Sequence, residues 1–451
     1  MSRSPDAPQA ASRSSLLAVA ILIIAGYGLT LLVFYPGVMT YDAKFVYEDI
    51  AKHTLGDWQS PAMTVLWGLI DPIAPGSASM FLLIASFYWL GFGLLAFTLA
   101  RRSVLAAILV PILALAPPAF AFVGMIWRDM LFSTTWLLAA VLVFAAIGRG
   151  EKLRLTAQVL AILLCAFGVL LRPNAVTAAP ILGAYIAWPM KVYWKRAAIS
   201  FVPAMVLFFL LVQFVYYGVL GATRQHPLQS IMVFDLGGIS HFTGQNQYPV
   251  TWTPAETKLL LEGCYRPTEW DIYWRLAPCE FVMQKLEKEE KVFGTDTMAN
   301  AWVSAIFRHP VAYLEHRAGF MWNFLTGSNL TMWVADVERP DREVFLDRSA
   351  FVTLKHVHDV LKATPLFRAG TWLVACIFIC GLAWRRRETA EGAFAVGLCG
   401  TAAVYVATFF AVGVASDFRY GYFAVLATIA GGAALLVPMP RSARTAPRRA
   451  G

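Results

Sequence analysis

Long apolar runs alternate with short polar breaks along this chain. Uncharged runs of about 17–25 residues match the hydrocarbon thickness of a bilayer when helical. The pattern predicts ten spans, near 15–35, 78–99, 103–123, 130–147, 155–171, 175–190, 197–217, 370–384, 391–413 and 421–438. The first run stops at Phe34–Asp42, FYPGVMTYD. Pro36-Gly37 breaks the helix there, Tyr35, Thr40 and Tyr41 fall where the polar interface begins, and Asp42 stands just outside the hydrocarbon. Residues 43–60 read as an amphipathic helix on the membrane surface, with Phe45, Val46 and Ile50 on one face and Lys44, Glu48 and Lys52 on another. Residues 61–70 are apolar but too short to span, and read as a surface or half-inserted helix.

One long polar region, 218–369, interrupts the spans and reads mostly helical. Thr253-Pro254-Ala255-Glu256 resembles a capped helix start, a strongly charged stretch covers 276–291, and a helix is expected over Thr295–Phe307. His309-Pro310 opens another through Leu325, whose Tyr313, His316, Phe320 and Phe324 stripe is read as packing rather than as a ligand set. Residues 235–250, rich in Gly and polar groups, read as a long loop that could order over a substrate.

Composition agrees with the pattern: 58% hydrophobic and 14% charged residues describe an all-α polytopic membrane protein, since soluble chains hold roughly half apolar and a quarter charged. The expected organisation is an N-terminal transmembrane module, 1–217, with a first outer loop at 36–77, an extracytoplasmic domain at 218–369, C-terminal membrane helices at 370–438 and a basic tail at 439–451. Charge gives the orientation. Arg3, Arg13, Arg101, Arg102, Arg149, Lys152, Arg154, Lys191, Lys195, Arg196, Arg385, Arg386, Arg387, Arg441, Arg444, Arg448 and Arg449 all fall on one side. By the positive-inside rule that side is cytoplasmic and holds both termini, with the first apolar run a retained helix. These segments account for the net charge of +9, and nothing calls for nucleic acid.

Candidate chemistry lies on the other face. Trp127-Arg128-Asp129, Leu171-Arg172-Pro173-Asn174 and Ser416-Asp417-Phe418-Arg419-Tyr420 put charges at span ends against the positive-inside trend. Plainer alternatives are an Arg128–Asp129 pair, with Arg172 and Arg419 reaching to lipid headgroups. With Asp42 they make a one-sided collection of carboxylates and guanidiniums. All seven histidines (His53, His226, His241, His309, His316, His356 and His358) lie outside the spans, which argues against an acyltransferase built on an intramembrane histidine. Cys264 and Cys279 share the outer region and are expected to form a disulfide in an oxidising compartment. Cys165, Cys376, Cys380 and Cys399 lie in spans as small apolar residues without metal spacing.

Tyr-Pro-Gly followed by Thr-Tyr-Asp and an amphipathic outer loop resembles the GT-C superfamily of membrane glycosyltransferases. Trp127-Arg128-Asp129, Arg172-Pro173-Asn174, the His309–Arg317 helix and Asp417–Tyr420 are similar to features of its bacterial branch. One departure is Gln59-Ser60-Pro61, where many relatives carry His-Pro. The resemblance implies transfer of a sugar from a polyprenyl-phosphate donor to an extracytoplasmic lipid, glycan or protein acceptor, at the outer face of a bacterial inner membrane, with inversion at the anomeric carbon. Such chemistry needs a base, cations for the departing phosphate and a site beside the bilayer. Asp42 suits the base if burial under the 43–60 helix strengthens it. Arg172 and Arg419, with Arg128 as a third, suit the phosphate. Tyr41, Asn174 and Tyr420 are the flanking substrate contacts. Asp129 would orient an arginine or join Asp42 around a divalent cation, Mg or Mn; no cofactor is certain. Two other readings stay open: a transporter or lipid flippase, disfavoured by spans almost free of midplane charge, and a non-catalytic envelope assembly protein.

Overall fold

The structure, a computed structural model, describes residues 12–327, 332 and 348–438; the tail expected at 439–451 lies outside them. Helices stand at all ten places where the hydropathy pattern predicts a span, and among the described residues seven of them are, as single helices, long and apolar enough by length and composition to cross a membrane. These are Arg13–Phe34, Ser77–Ala100, Arg128–Ala146, Glu151–Leu171, Trp194–Val219, Ala390–Val412 and Phe418–Leu435. At two of the other three places proline shapes what stands there. The expected 103–123 span divides into Val104–Ala114 and Pro117–Phe120 at Pro117-Pro118, and 175–190 becomes a 3₁₀ turn, Pro173–Thr177, followed by Ala179–Ala187. The Val104–Ala114 helix, at 11 residues, is only about 16 Å long. Ala369–Trp384 and the Pro61–Ile73 segment are likewise shorter apolar helices.

Arg128–Ala146 is the axis of the bundle. Nearly all of its residues are buried, from Asp129 to Ala146, and a helix apolar all round needs protein or lipid on every side. Ser77–Ala100 and Glu151–Leu171 flank it, and the last helix packs through Phe423 against Trp136 and Phe132. Ion pairs gather the basic turns at one end of the bundle: Arg102 meets Glu391, and Lys191 meets Glu388 at 3.1 Å.

At the opposite end the break after the first helix is built by local geometry. Tyr35-Pro36 is cis, and Gly37 takes φ +100°, a conformation open to glycine. The chain then runs beside 124–126: Val38 N–H donates to the Gly124 carbonyl at 2.8 Å, and Ile126 N–H to the Val38 carbonyl at 3.0 Å. This short ladder delivers Asp42 next to Trp127-Arg128-Asp129. The surface helix follows at Tyr41–Lys52, with Glu48 between Lys44 and Lys52 on its outer face. Its inner face differs from the expected one: Val46 is buried and Phe45, one position away, is exposed.

The outer region is helical as read, with a capping box at Thr253/Glu256 and helices Asp296–Arg308 and Pro310–Thr326. Residues 235–250 depart from the expected loop, since 235–243 belong to the helix Gln229–Thr243. Its glycines serve close packing: a Cβ on Gly237 would meet the Tyr273 ring, and one on Gly238 would meet His316. That contact surrounds a fully buried charge cluster. Asp235 Oδ1 lies 2.7 Å from Arg317 Nη2 and 3.2 Å from His316 Nε2, and Trp302 Nε1 donates to Oδ2 at 2.7 Å. Burial pushes His316 below the ordinary histidine value, although contact with the Asp235 carboxylate pulls the other way. His316, Phe320 and Phe324 are all buried, so the stripe packs the domain.

Arg317 also reaches out of the domain, donating from Nη1 to the Gly413 carbonyl at 2.6 Å. The next residues pair with the domain's own chain: Trp270 N–H donates to the Val414 carbonyl and Ser416 N–H to the Thr268 carbonyl. The Thr268–Trp270 strip lies inside the loop closed by the Cys264–Cys279 disulfide. Asp235→Ala, which strands Arg317 without its carboxylate, is expected to cost about 3–5 kcal/mol, measured as the change in denaturant stability of the detergent-extracted protein. A loss under about 1 kcal/mol, the range of an exposed pair, would contradict it. Alkylation with and without reductant should shift the gel mobility of the wild type and leave Cys264→Ala/Cys279→Ala unshifted.

Candidate active site

Three span ends and the surface helix bring six charged side chains together. Asp42 enters from the first turn of Tyr41–Lys52, Arg128 and Asp129 from the first turn of Arg128–Ala146, and Arg172 from the residue after Glu151–Leu171. Asp417 and Arg419 come from the tight turn before the last helix. Acidic residues in a first turn are favoured by the positive end of the helix dipole, which is why both Asp42 and Asp129 sit where they do.

Arg419 is the centre of the arrangement. Its Nη1 donates to Asp42 Oδ2 at 2.6 Å, and its Nε lies 3.1 Å from Asp417 Oδ2. Asp417 Oδ1 in turn accepts from the Arg419 backbone N–H at 3.0 Å, so the turn holds its own arginine. The guanidinium lies over the rings of Trp127 and Tyr420, each 5.1 Å from the ring centroid. Arg172 approaches Tyr420 as well, at 4.8 Å, and pairs with Asp129 in a buried contact. The Tyr420 ring thus has two guanidiniums close to it and stacks on Phe409, and Arg419 Nη2 also donates to its hydroxyl at 3.1 Å.

Asp129 thus answers Arg172 rather than its neighbour Arg128. Arg128 donates from Nη1 to the Trp58 carbonyl at 3.3 Å, and among the described residues no carboxylate lies within ion-pair distance of it. The geometry explains the exchange: Asp129 and Arg128 are adjacent in a helix and point apart, whereas Arg172 arrives from the next span. Arg128 instead lines a small cavity with Asp42, Gln59, Met63 and Ile126. Gln59 donates to Asp42 Oδ1 at 3.3 Å, so the glutamine in place of His-Pro is in contact with the carboxylate.

Burial alone would raise the Asp42 pKa, but the Arg419 guanidinium, then Arg128 and Arg172, outweigh it and hold the carboxyl below its ordinary value of 3.8. The expectation that burial makes Asp42 a stronger base is therefore corrected for this state. Asp417 goes the other way: burial raises it, against the pull of Arg419. Burial likewise works against the Arg172 charge, and Asp129 outweighs it.

A divalent cation does not fit this donor set. Among the described residues no three His, Cys, Asp or Glu side chains gather as a metal site, and one oxygen of each of Asp42 and Asp129 is engaged by a guanidinium. Tyr41 stays at the surface, 57% exposed. Asn174 is half-buried in the 3₁₀ turn, its carbonyl accepting from Thr177 Oγ1 at 3.1 Å. Sequence reading singled out the Asp417 corner without assigning the carboxylate a role, and gave Gln59 and Trp127 none. Asp417 lies two residues before Arg419, the spacing of an Asx turn, which was a usable signal.

No family model matches the chain, and no curated protein matches it. Two solved structures are similar, both of the Archaeoglobus fulgidus oligosaccharyltransferase. The complex with Zn and sulfate has a TM-score of 0.39 at 13% identity, covering 93% of this chain and 49% of that one. The form tethered with an acceptor peptide containing the NVT sequon has a TM-score of 0.37 at 12% identity, covering 94% of this chain and 49% of that one. This chain spans about half the length of those proteins, and a likeness of that degree carries no argument about its activity.

The cluster makes a pH prediction. Because the folded Asp42 pKa is depressed, its pairing stabilises fully above the unfolded value of 3.8 and is lost as pH falls through the lower folded value. The difference in thermal midpoint between wild type and Asp42→Asn should hold constant from neutral pH to about pH 4 and shrink below it. A difference that shrinks already between about pH 7 and 5 would contradict the pairing.

Proposed function

We propose that this protein is a GT-C-type membrane glycosyltransferase that moves a sugar from a polyprenyl-phosphate donor to an acceptor on the face carrying Asp42. The observation that supports it most is Arg128, a guanidinium without a carboxylate partner among the described residues, beside Asp42 in one cavity. A buried or half-buried cation of that kind invites an anion, and guanidinium offers paired donors to phosphate. Arg172 Nε, buried and without a hydrogen-bond partner among the described residues, is a second such donor.

In this reading the donor phosphate binds Arg128 and competes with Asp42 for Arg419. Drawing Arg419 away removes the charge that depresses the Asp42 pKa, so donor binding itself strengthens the base. Asp42 then takes the proton of the acceptor group as its oxygen or nitrogen bonds to the anomeric carbon. The bond from that carbon to the phosphate oxygen breaks, and the electron pair leaves with polyprenyl phosphate, whose charge the guanidiniums meet. Displacement in one step inverts the anomeric carbon. Asp129 acts by holding Arg172. The distribution of basic residues supports an outer-face setting with both termini cytoplasmic, and the bacterial inner membrane is what the GT-C resemblance implies.

The test is transfer of labelled sugar from a synthetic polyprenyl phosphate by the purified protein in detergent, with donor binding measured separately. Asp42→Asn should keep donor binding and lose transfer by roughly 10²–10⁴-fold. Arg128→Ala should weaken donor binding by roughly tenfold to a hundredfold. Full transfer by Asp42→Asn would remove its role as base, and unchanged binding in Arg128→Ala would remove the phosphate site. Vesicle scrambling of lipid without transfer would instead support a flippase.

A further inference from the structure

A cavity lies at the other end of the bundle. It measures about 460 Å³ and opens between Ala179–Ala187, the start of Trp194–Gln213 and the start of Ala390–Val412. That volume is in the range of ligand pockets. Ala184, Ala197, Ala393 and Gly397 face it from the three helices, and small side chains there would let the helices close together. They do not close. Within Trp194–Gln213 the buried residues are Phe208 and Val212, so no residue from Trp194 through Leu207 is buried and this half of the helix stands off from the bundle.

Two features say what fills the slot. Cations stack on the aromatic residues at its mouth: Arg196 lies 4.9 Å from the Tyr193 ring and 6.0 Å from Trp188, and Lys191 lies 5.7 Å from Tyr193. Trp188, Lys191 and Tyr193 all line the cavity. Lys191 pairs with Glu388, whose side chain is 63% exposed, and Arg196 at the same rim has no carboxylate within ion-pair distance among the described residues, so the rim stays net positive. The second feature is inside. Tyr185 lines the slot two residues before its helix ends, and its hydroxyl is buried without a hydrogen-bond partner among the described residues. Of the groups a lipid could bring into the slot, an ester carbonyl can accept from that hydroxyl, which a bare isoprenoid chain cannot.

We propose that this slot is a binding site for an anionic glycerophospholipid of the leaflet on the basic face, its acyl chain between the three helices, an ester carbonyl at Tyr185 and its phosphate at Lys191 and Arg196. Basic pockets between membrane helices recognise such headgroups. The site is separate from Asp42, which lies at the opposite end of the bundle, so its outcome is independent of the transfer reading. A polyprenyl phosphate held by Arg128 would have no use for these cations.

Native mass spectrometry of the full chain in detergent, titrated with phosphatidylglycerol or with phosphatidylcholine of the same acyl chains, tests it. Phosphatidylglycerol should bind about tenfold more tightly. Lys191→Glu with Arg196→Glu, both at the rim, should abolish that preference while leaving phosphatidylcholine binding unchanged. Ala184→Trp, which fills the slot, should weaken both. Equal binding of the two lipids by the wild type, or a preference that survives the charge reversal, would overturn the proposal. Polyprenyl phosphate displacing phosphatidylglycerol equally well from Arg128→Ala and wild type would also overturn it, assigning the slot to an isoprenoid chain.

Discussion

Arg419 links residues 377 positions apart, and the outer end of the bundle depends on that contact. Taking guanidiniums and carboxylates out of water is expensive, and it is tolerated where each charge meets an opposite one. Asp42 and Asp417 meet Arg419; Asp129 meets Arg172. The segments that carry them come from the first helix break, the central helix, the middle of the chain and its last turn, so the pairings fix how four distant pieces meet. Aromatic faces of Trp127 and Tyr420 cover the cations where water would otherwise stand. Because Arg419 takes two carboxylates, Arg128 is left without one among the described residues, and the proposed chemistry starts from there.

The outer domain enters the same arrangement through the backbone. Arg317, held by Asp235, takes the last carbonyl region of Ala390–Val412 at Gly413, and the Thr268–Trp270 strip pairs with Val414 and Ser416. Asp417 is the next residue. A buried ion pair in the outer domain and a disulfide-closed loop therefore set the position of the turn that carries Arg419. The domain is more than a cover for the membrane helices, since its internal charges orient the corner on which the site is built. The clamp also accounts for a buried charge cluster that takes no part in the proposed transfer.

Hydrophobic run length made the ten helix positions legible, because apolar length is a property of single segments. Proline was the limit of that reading. Pro117-Pro118 lies within a run whose hydropathy is continuous, yet it divides the helix there, and Pro180 stands at the start of Ala179–Ala187 inside the expected 175–190 span. Residues 235–243 failed in the opposite direction. Gly237 and Gly238 look like loop residues, but in the folded domain they admit Tyr273 and His316 against a helix. At the site, the residue types and their common face could be read from charges set against the positive-inside trend. Their pairing could not: Asp129 bonds across spans to Arg172, and the effect of burial on Asp42 is reversed by Arg419, which lies far away in sequence.

The arrangement of Arg128, Arg419 and Asp42 around a phosphate is the central claim, and a structure of the protein with a polyprenyl phosphate tests it most directly. The account predicts phosphate oxygens within about 3 Å of the Arg128 and Arg419 guanidiniums, with Asp42 released from the 2.6 Å contact it makes here. A phosphate bound away from both arginines, with the Asp42–Arg419 contact unchanged, would contradict it.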